Sequence, residues 1–161
     1  MHVENQLRPV DRILQLISEM SFFNNFNPLE LDRISKHLTV RDIKKDEVIF
    51  KEGDIGDCMC FVAEGLLHVH KDIEGEKDVI VSWISSGKSF GEMSILDLSP
   101  RSATVVGARE STLVILSRAH YDMVLYQHPK LGVKLLSGIS RLLSLYLRQA
   151  TGKLAAEIST H

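Results

Sequence analysis

The chain has 161 residues, of which 44% are hydrophobic, so it can bury one core of ordinary size. Its 19 basic and 21 acidic residues give a formal charge of −2, whereas general nucleic-acid binders carry a clear basic excess. No apolar run is long enough to cross a membrane, and the N-terminal residues lack the apolar region of a signal peptide, so we expect a soluble cytoplasmic protein.

Residues 1–39 are predicted to form two helices. Between residues 10 and 17 the apolar residues recur at helical spacing, which indicates the first helix. The second helix is predicted to begin with Asn27 as its N-cap, Pro28 at its first position and Glu30 in its first turn. Its predicted apolar face consists of Leu29, Leu31, Ile34 and Leu38.

Residues 40–117 change to the pattern of a β domain. Short runs of β-prone residues alternate with turn sequences, among them KKDE, EGDIGD, AEG and SSGK. Two more strands are predicted within SATVVGARESTLVILSR, which begins at residue 102. Short strands at regular spacing are typical of antiparallel barrels and jelly rolls. The predicted fold class is therefore mainly β, an antiparallel jelly-roll barrel with helices at both ends of the chain.

The two cysteines, Cys58 and Cys60, lie within one of these predicted strands. On a strand, residues i and i+2 project to the same face, which is a poor arrangement for an unstrained disulfide. Without a companion CxxC or a nearby pair of histidines, they also fall short of a structural zinc site. We expect two reduced cysteines buried in the core.

Residues 118–157 are predicted to form a short helix that ends before Pro129 and a long helix that begins with it. One apolar stripe of the long helix has coiled-coil spacing and consists of Leu135, Ile139, Leu142, Tyr146 and Gln149. A second stripe consists of Leu136, Leu143 and Leu147. Because one helix cannot bury both stripes on a single barrel, we expect the first to form a homodimer and the second to pack on the β domain. Alternatively, the N-terminal helix covers the surplus stripe within one chain.

The segment FGEMSILDLSPRSATVV, residues 90–106, places Glu92 and Arg101 among apolar residues. A buried charge is costly, so these two side chains must pair, reach water or bind something. A short helix over EMSILDL would direct its first N–H groups, near Gly91 and Glu92, towards an anion. Arg101 can bind phosphate oxygens through two N–H groups, Ser102 can add a hydroxyl, and Glu92 can accept a hydrogen bond from a ribose hydroxyl. The segment is therefore predicted to bind a sugar phosphate.

The same segment resembles the phosphate-binding cassette of cyclic nucleotide-binding domains, found in kinase regulatory subunits, catabolite activator proteins and cyclic nucleotide-gated channels. EGDIGDCMCFVAEG, which begins at residue 52, is similar to a second signature of that family. The resemblance extends over residues 20–150, with the cassette at 90–105. Two positions depart from the family pattern, since Asp46 replaces a turn glycine and Cys60 replaces an aromatic residue, and neither lies in the cassette.

The resemblance implies one domain, a jelly roll over residues 40–117 with a C-terminal helical lid. Glu92 would bind the ribose 2′-hydroxyl and Arg101 the cyclic phosphate, while Gly91 and Ser102 would donate backbone N–H groups. The strand before the cassette and the last helix would face the base, and the candidates there are Val81, Ser82, Arg141 and Leu145. The ligand is expected to be cAMP or cGMP; we favour cAMP, although the hydroxyl of Ser102 could also serve the amino group of guanine.

Other functions are predicted by other features of the sequence. His68, His70 and Glu74 have the spacing of a cupin metal site, although Glu74 falls in a predicted turn and no later strand supplies a third histidine. A ligand-free scaffold of the same fold is a further alternative. After the long helix the sequence ends without a helix-turn-helix. We therefore expect a stand-alone cyclic nucleotide sensor without catalytic activity, metal or nucleic-acid partner, acting on an unidentified effector protein.

Overall fold

The computed structural model describes residues 8–160, in which helices flank eight strands. The helices are α1 (Pro9–Ser18), α2 (Pro28–Ser35), α3 (Glu92–Asp97), α4 (Arg118–Gln127) and α5 (Pro129–Ser159), with a short 3-10 helix at Ser21–Phe23. The strands are β1 (Thr39–Ile43), β2 (Val48–Phe50), β3 (Cys58–Glu64), β4 (Leu66–Ile73), β5 (Glu76–Ser85), β6 (Ser89–Phe90), β7 (Thr104–Gly107) and β8 (Ser111–Ser117).

The strands form two four-stranded antiparallel sheets, in the orders β1-β8-β3-β6 and β2-β7-β4-β5. This arrangement confirms the predicted mainly β, jelly-roll-like fold with flanking helices. Alternate residues of β3 and β8 face opposite sides of their sheet, as strand geometry requires. The core between the two sheets consists of Ile43, Cys60, Val62, Leu67, Ile84, Phe90, Val105 and Leu113.

Helix α2 begins as the sequence predicts, because Asn27 and Glu30 form a reciprocal capping box. Its predicted apolar face is wrong at Leu29, whose exposed fraction is 58%. At 3.6 residues per turn, Leu29 lies about 140° around the helix from the buried Ile34 and therefore points away from the core.

A second core joins the outer face of the first sheet to helices α1, α2, α4 and α5. It contains Ile13, Ile17, Phe23, Ile34, Met59, Phe61, Val114, Leu116, Leu131, Leu135 and Ile139. The first stripe of α5 is thus not a free dimer seam, and the second stripe packs on the domain as predicted only at Leu143, which is partly buried against this core. Leu135 and Ile139, predicted to form a dimer seam, are fully buried within the chain, because they lie in this core together with residues of the other helices, the 3-10 helix and the sheet. The exposed fractions of Leu136 and Leu147 are 41% and 69%.

The C-terminal part of α5 projects from the domain. Every residue from 147 to 160 is exposed, which corresponds to more than three helical turns, or about 20 Å of helix. Leu147, Leu154 and Ile158 are large apolar residues on this projection. Between residues 8 and 160, no helix combines the length and the apolar character needed to cross a bilayer.

Candidate functional site

The cassette opens with a turn that only glycine can make. Gly91 follows β6 with a φ of +80° and is the N-cap of α3. A Cβ atom at this position would lie 2.6 Å from Nη1 of Arg101 and 2.9 Å from the carbonyl oxygen of Cys58. Both the backbone conformation and the available space therefore require glycine, and they bring the backbone close to Arg101.

The backbone of Arg101 is held by the second sequence signature, EGDIGD. The N–H of Gly53 donates to the carbonyl oxygen of Arg101 at 2.8 Å, and the N–H of Arg101 donates to that of Asp54 at 2.8 Å. Gly56 lies so close to α3 that a Cβ there would be 2.1 Å from the Cβ of Ser94. The two signatures are thus one structural unit, in which the loop fixes the position of the cassette arginine.

The side chain of Arg101 is 5% exposed and lies in a cage of neutral groups. Its Nη2 donates to the carbonyl oxygen of Cys58 at 2.8 Å, and its Nη1 donates to that of Gly91 at 3.5 Å. The guanidinium also lies 3.5 Å from the centre of the Phe50 ring, a cation–π contact. None of the ion pairs formed within residues 8–160 includes Arg101. These contacts use only part of its five N–H donors, so it can still bind an anion.

Glu92, the first residue of α3, is 8% exposed and is not paired with Arg101. Its Oε2 is buried and accepts no hydrogen bond from any residue that the structure describes. Burial raises the pKa of this carboxyl, and the hydrogen bond from its own backbone N–H and the charge of Arg101 oppose that effect only in part. A buried acceptor without a donor is costly, and a ligand hydroxyl would satisfy it.

Gly91, Glu92, Arg101 and Ser102 all line one cleft of about 190 Å³. The remaining wall is largely apolar and includes Phe50, Val69, Ile84, Phe90 and Val105. The structure therefore brings together the four residues predicted to bind phosphate and ribose. A cleft lined by a guanidinium, a carboxyl and a set of apolar side chains suits a ligand that is itself part anion and part flat ring.

The four residues predicted to face the base are not gathered in this cleft. Val81 is the extra residue of a β-bulge and is 45% exposed, while Ser82 is exposed beside its register partner Val69, which does line the cleft. Arg141 and Leu145 line a neighbouring cleft of about 390 Å³.

The two clefts meet at Ser89. This residue lines both, and its buried Oγ has no hydrogen-bond partner among the described residues. The hydroxyl of Tyr146 on α5 donates to the carbonyl oxygen of Ser89 at 3.3 Å. Helix α5 is therefore connected to the rim of the first cleft through one hydrogen bond.

Sequence reasoning missed several residues of the site. Phe50 and Cys58 contact Arg101 from strands that lie more than 40 residues earlier in the chain. Cys60 is buried as predicted, whereas the prediction for Cys58 is wrong, since Cys58 is half-buried and its Sγ faces Arg101. One signal was available in the sequence. Residues two apart on a strand project to the same face, so choosing Ser82 as a base-facing candidate on β5 also indicates Ile84, which is part of the apolar wall.

The cupin-like set of metal ligands is not assembled. His68 and His70 contact each other through their ring nitrogens on β4, and His68 also packs against Trp83. Glu74 lies in the β4–β5 turn with a φ of +45°. Within residues 8–160, no group of three or more histidine, cysteine and acidic side chains is placed to hold a metal ion.

Comparisons with known proteins agree with this geometry. The family model described as cyclic nucleotide-binding domain matches residues 40–128, more than half of the chain. A cAMP-dependent protein kinase regulatory subunit of Blastocladiella emersonii is 32% identical over 73% of this chain and 29% of its own length. A cyclic AMP receptor protein of Thermus thermophilus is 28% identical over 74% of this chain and 55% of its own length. The chain thus spans only about a third to a half of these curated relatives.

Solved structures give the same result. A cyclic nucleotide-binding domain from Methylobacillus flagellatus has a TM-score of 0.80 at 27% identity, over 92% of this chain and 83% of the other. The catabolite activator protein of Thermus thermophilus has a TM-score of 0.74 at 27% identity, over 84% and 62% of the two chains. With the family match and the cassette geometry, these similarities show that the chain belongs to the cyclic nucleotide-binding domain family.

Proposed function

We propose that the chain binds a cyclic nucleotide in the cleft of Gly91, Glu92, Arg101 and Ser102. One observation carries the proposal: a buried guanidinium without a carboxylate partner and a buried carboxylate whose Oε2 has no donor among the described residues line the same cleft. Each is costly alone, and a ligand with an anionic phosphate and a neighbouring hydroxyl would satisfy both.

In the bound state Arg101 would donate two hydrogen bonds to the exocyclic phosphate oxygens. The backbone N–H groups near Gly91 and Ser102 would donate to the same phosphate. The carboxylate of Glu92 would accept from the ribose 2′-hydroxyl. The apolar wall around Val69 and Ile84 would contact the base.

We propose cAMP as the preferred ligand over cGMP. The support is indirect: the two curated relatives above are named for cAMP, and a regulatory domain of protein kinase A from Toxoplasma gondii, 26% identical with a TM-score of 0.62, was solved with cAMP. Ser102 offers a hydroxyl that could also serve the amino group of guanine, so cGMP is the natural comparison.

The proposed role is that of a cytoplasmic sensor without catalytic activity, with α5 as the lid. Tyr146 connects this helix to Ser89 at the rim of the cleft, and a ligand there would favour one position of α5. An effector protein, or a second copy of the chain, would respond to that position.

Calorimetric titration of the purified chain with cAMP, cGMP and 5′-AMP tests the proposal. We expect saturable binding of one cyclic nucleotide per chain, tighter for cAMP than for cGMP and much weaker for the doubly charged, open 5′-AMP. Failure of every cyclic nucleotide to bind at millimolar concentration would favour a ligand-free scaffold.

A further inference from the structure

Cys58 carries a nucleophilic group that the proposed function does not use. The residue is half-buried on β3, and its Sγ atom lies 3.3 Å from Nη2 of Arg101. The same nitrogen donates to the carbonyl oxygen of Cys58 at 2.8 Å. Both polar atoms of one cysteine therefore contact the guanidinium on which phosphate binding would depend.

The surroundings of Cys58 favour its thiolate, which is the reactive form of cysteine. Its pKa is lowered by the hydrogen bond with Cys60 and also by the charge of Arg101, whereas burial and the charge of Asp57 act in the opposite direction. Cys60 is fully buried, and its pKa is raised well above the ordinary value by the bond with Cys58 and by burial. Of the two cysteines, Cys58 is thus the less buried one and the one whose surroundings favour the thiolate.

We propose that Cys58 is an oxidation site that controls Arg101 and, through it, ligand binding; the second part rests on the proposed function. The oxidant is hydrogen peroxide. The thiolate sulfur attacks one peroxide oxygen, an S–O bond forms as the O–O bond breaks, and the departing hydroxide takes up the proton that the thiol had released to the solvent, giving water. The sulfur loses two electrons, the peroxide gains them, and the product is a sulfenic acid.

The spacing of the two groups links this modification to Arg101. An N–H···O hydrogen bond alone takes about 2.9 Å between the heavy atoms. Sγ and Nη2 are only 3.3 Å apart, so an oxygen bonded to the sulfur cannot enter between them unless they separate. The guanidinium then either leaves its place over Phe50 or stays bound to the sulfenate in place of the phosphate. In both arrangements Arg101 has fewer N–H groups free to bind the phosphate, so the affinity for cyclic nucleotide falls.

Ligand binding and deprotonation of Cys58 compete for the same guanidinium, so the coupling between these two equilibria is reciprocal. A phosphate bound to Arg101 partly neutralises its positive charge, so the guanidinium stabilises the thiolate of Cys58 less and the thiolate fraction falls. Bound cyclic nucleotide therefore slows oxidation of Cys58, even where the ligand does not touch the sulfur.

The experiment compares each protein before and after peroxide treatment. Wild type, Cys58→Ser and the matched control Cys60→Ala are titrated with cAMP, and dimedone labelling with mass spectrometry locates the sulfenic acid. We expect treated wild type to lose at least about tenfold in affinity, with the label on Cys58. Cys60→Ala should respond in the same direction but more slowly, because it lacks the hydrogen bond that helps to lower the pKa of Cys58, and Cys58→Ser should not respond. An equal loss in Cys58→Ser, or unchanged affinity of wild type labelled at Cys58, would overturn the proposal.

A second arm separates this proposal from the proposed function. If reduced wild type binds no cyclic nucleotide, the proposed function fails. The effect of Arg101 on the reactivity of Cys58 can still be measured, because that measurement needs no ligand. Alkylation of Cys58 by iodoacetamide is timed in folded wild type, Arg101→Lys and Arg101→Gln. Slower alkylation in the glutamine variant, with the lysine variant nearer wild type, supports control by the charge of Arg101. Equal rates in all three overturn it.

Discussion

Arg101 owes its position to residues that lie far from it in the sequence. Its residue type, and that of Glu92, could be predicted to matter, because two opposite charges stand in an apolar segment. Their partners could not be predicted, since Phe50 and Cys58 are brought to Arg101 only by the pairing of strands in the fold. Sequence patterns indicate chemistry at single positions, whereas contacts between distant strands depend on the register of the whole sheet.

Replacing Arg101 is expected to abolish most of the binding. Arg101→Ala should cost about 2–4 kcal/mol of affinity for cAMP, because charge-assisted hydrogen bonds in a site shielded from water are lost. Arg101→Lys should restore only part, since lysine cannot donate two parallel bonds. Calorimetric titration gives the affinities, with the exposed Arg109→Ala as the matched control. Wild-type affinity in the alanine variant would remove Arg101 from the site.

Glu92→Gln is expected to weaken recognition of the ribose. Wild type should bind 2′-deoxy-cAMP less tightly than cAMP, because a charged acceptor loses its donor. The glutamine variant should barely distinguish the two ligands, whereas the exposed Glu110→Gln should behave as wild type. The same discrimination in all three proteins would contradict the role of Glu92.

Glu92→Gln is expected to weaken ligand binding but to stabilise the ligand-free chain. Burial raises the pKa of Glu92 in the folded state, so its contribution to stability is present at low pH and is lost as the pH rises through that raised pKa. Above that raised pKa, the ligand-free chain holds an ionised carboxylate whose Oε2 has no hydrogen-bond donor among the described residues. Glu92→Gln should therefore raise the free energy of unfolding by about 1 kcal/mol at pH 7.5 and by less at pH 4.5, as measured by urea denaturation. A variant less stable than wild type at pH 7.5 would contradict this reading.

At the scale of elements, local signals in the sequence predict where helices begin but not which face they bury. The capping box of α2 and the start of α5 at Pro129 depend on neighbouring residues alone, and the structure confirms both. The prediction for the two stripes of α5 failed because both are apolar, and only the packing of the other helices and the sheet decides which of their residues are covered. The prediction for Leu29 failed for the same reason, since helix propensity and composition do not tell which side of a helix faces the core.

Substitutions on α5 should separate the two stripes. Ile139→Ala is expected to cost about 2–4 kcal/mol of stability, because it leaves a cavity in the core shared with α1. Leu147→Ala, on the exposed projection, should change stability by less than about 0.5 kcal/mol in a monomer. Urea denaturation at low protein concentration measures both. Equal effects would mean that the two stripes are not buried as described.

At the scale of the whole molecule, the projecting end of α5 carries large apolar residues that the described part of the chain does not cover. Leu147, Leu154 and Ile158 follow each other at intervals of seven and four residues, so they lie along one side of the helix. A free helix of this length is marginal in water, and a second copy of the same stripe would cover its apolar side. We therefore retain the proposed homodimer but assign it to this stripe in place of Leu135 and Ile139.

Light scattering on the purified chain tests the dimer. At micromolar concentration we expect about twice the mass of one 18.1 kDa chain. The combined change Leu147→Glu, Leu154→Glu and Ile158→Glu should give a folded monomer, whereas Leu29→Glu, at an exposed leucine outside the stripe, should leave the dimer intact. A monomeric wild type would exclude this interface.

A crystal structure of the chain grown with cAMP is the most direct test of the proposed site. We predict phosphate oxygens about 3 Å from the guanidinium of Arg101 and the ribose 2′-hydroxyl within hydrogen-bond distance of Oε2 of Glu92. The base should lie against Val69 and Ile84. A nucleotide bound instead in the neighbouring cleft of Arg141 and Leu145, with Arg101 and Glu92 in their present contacts, would contradict the proposed site.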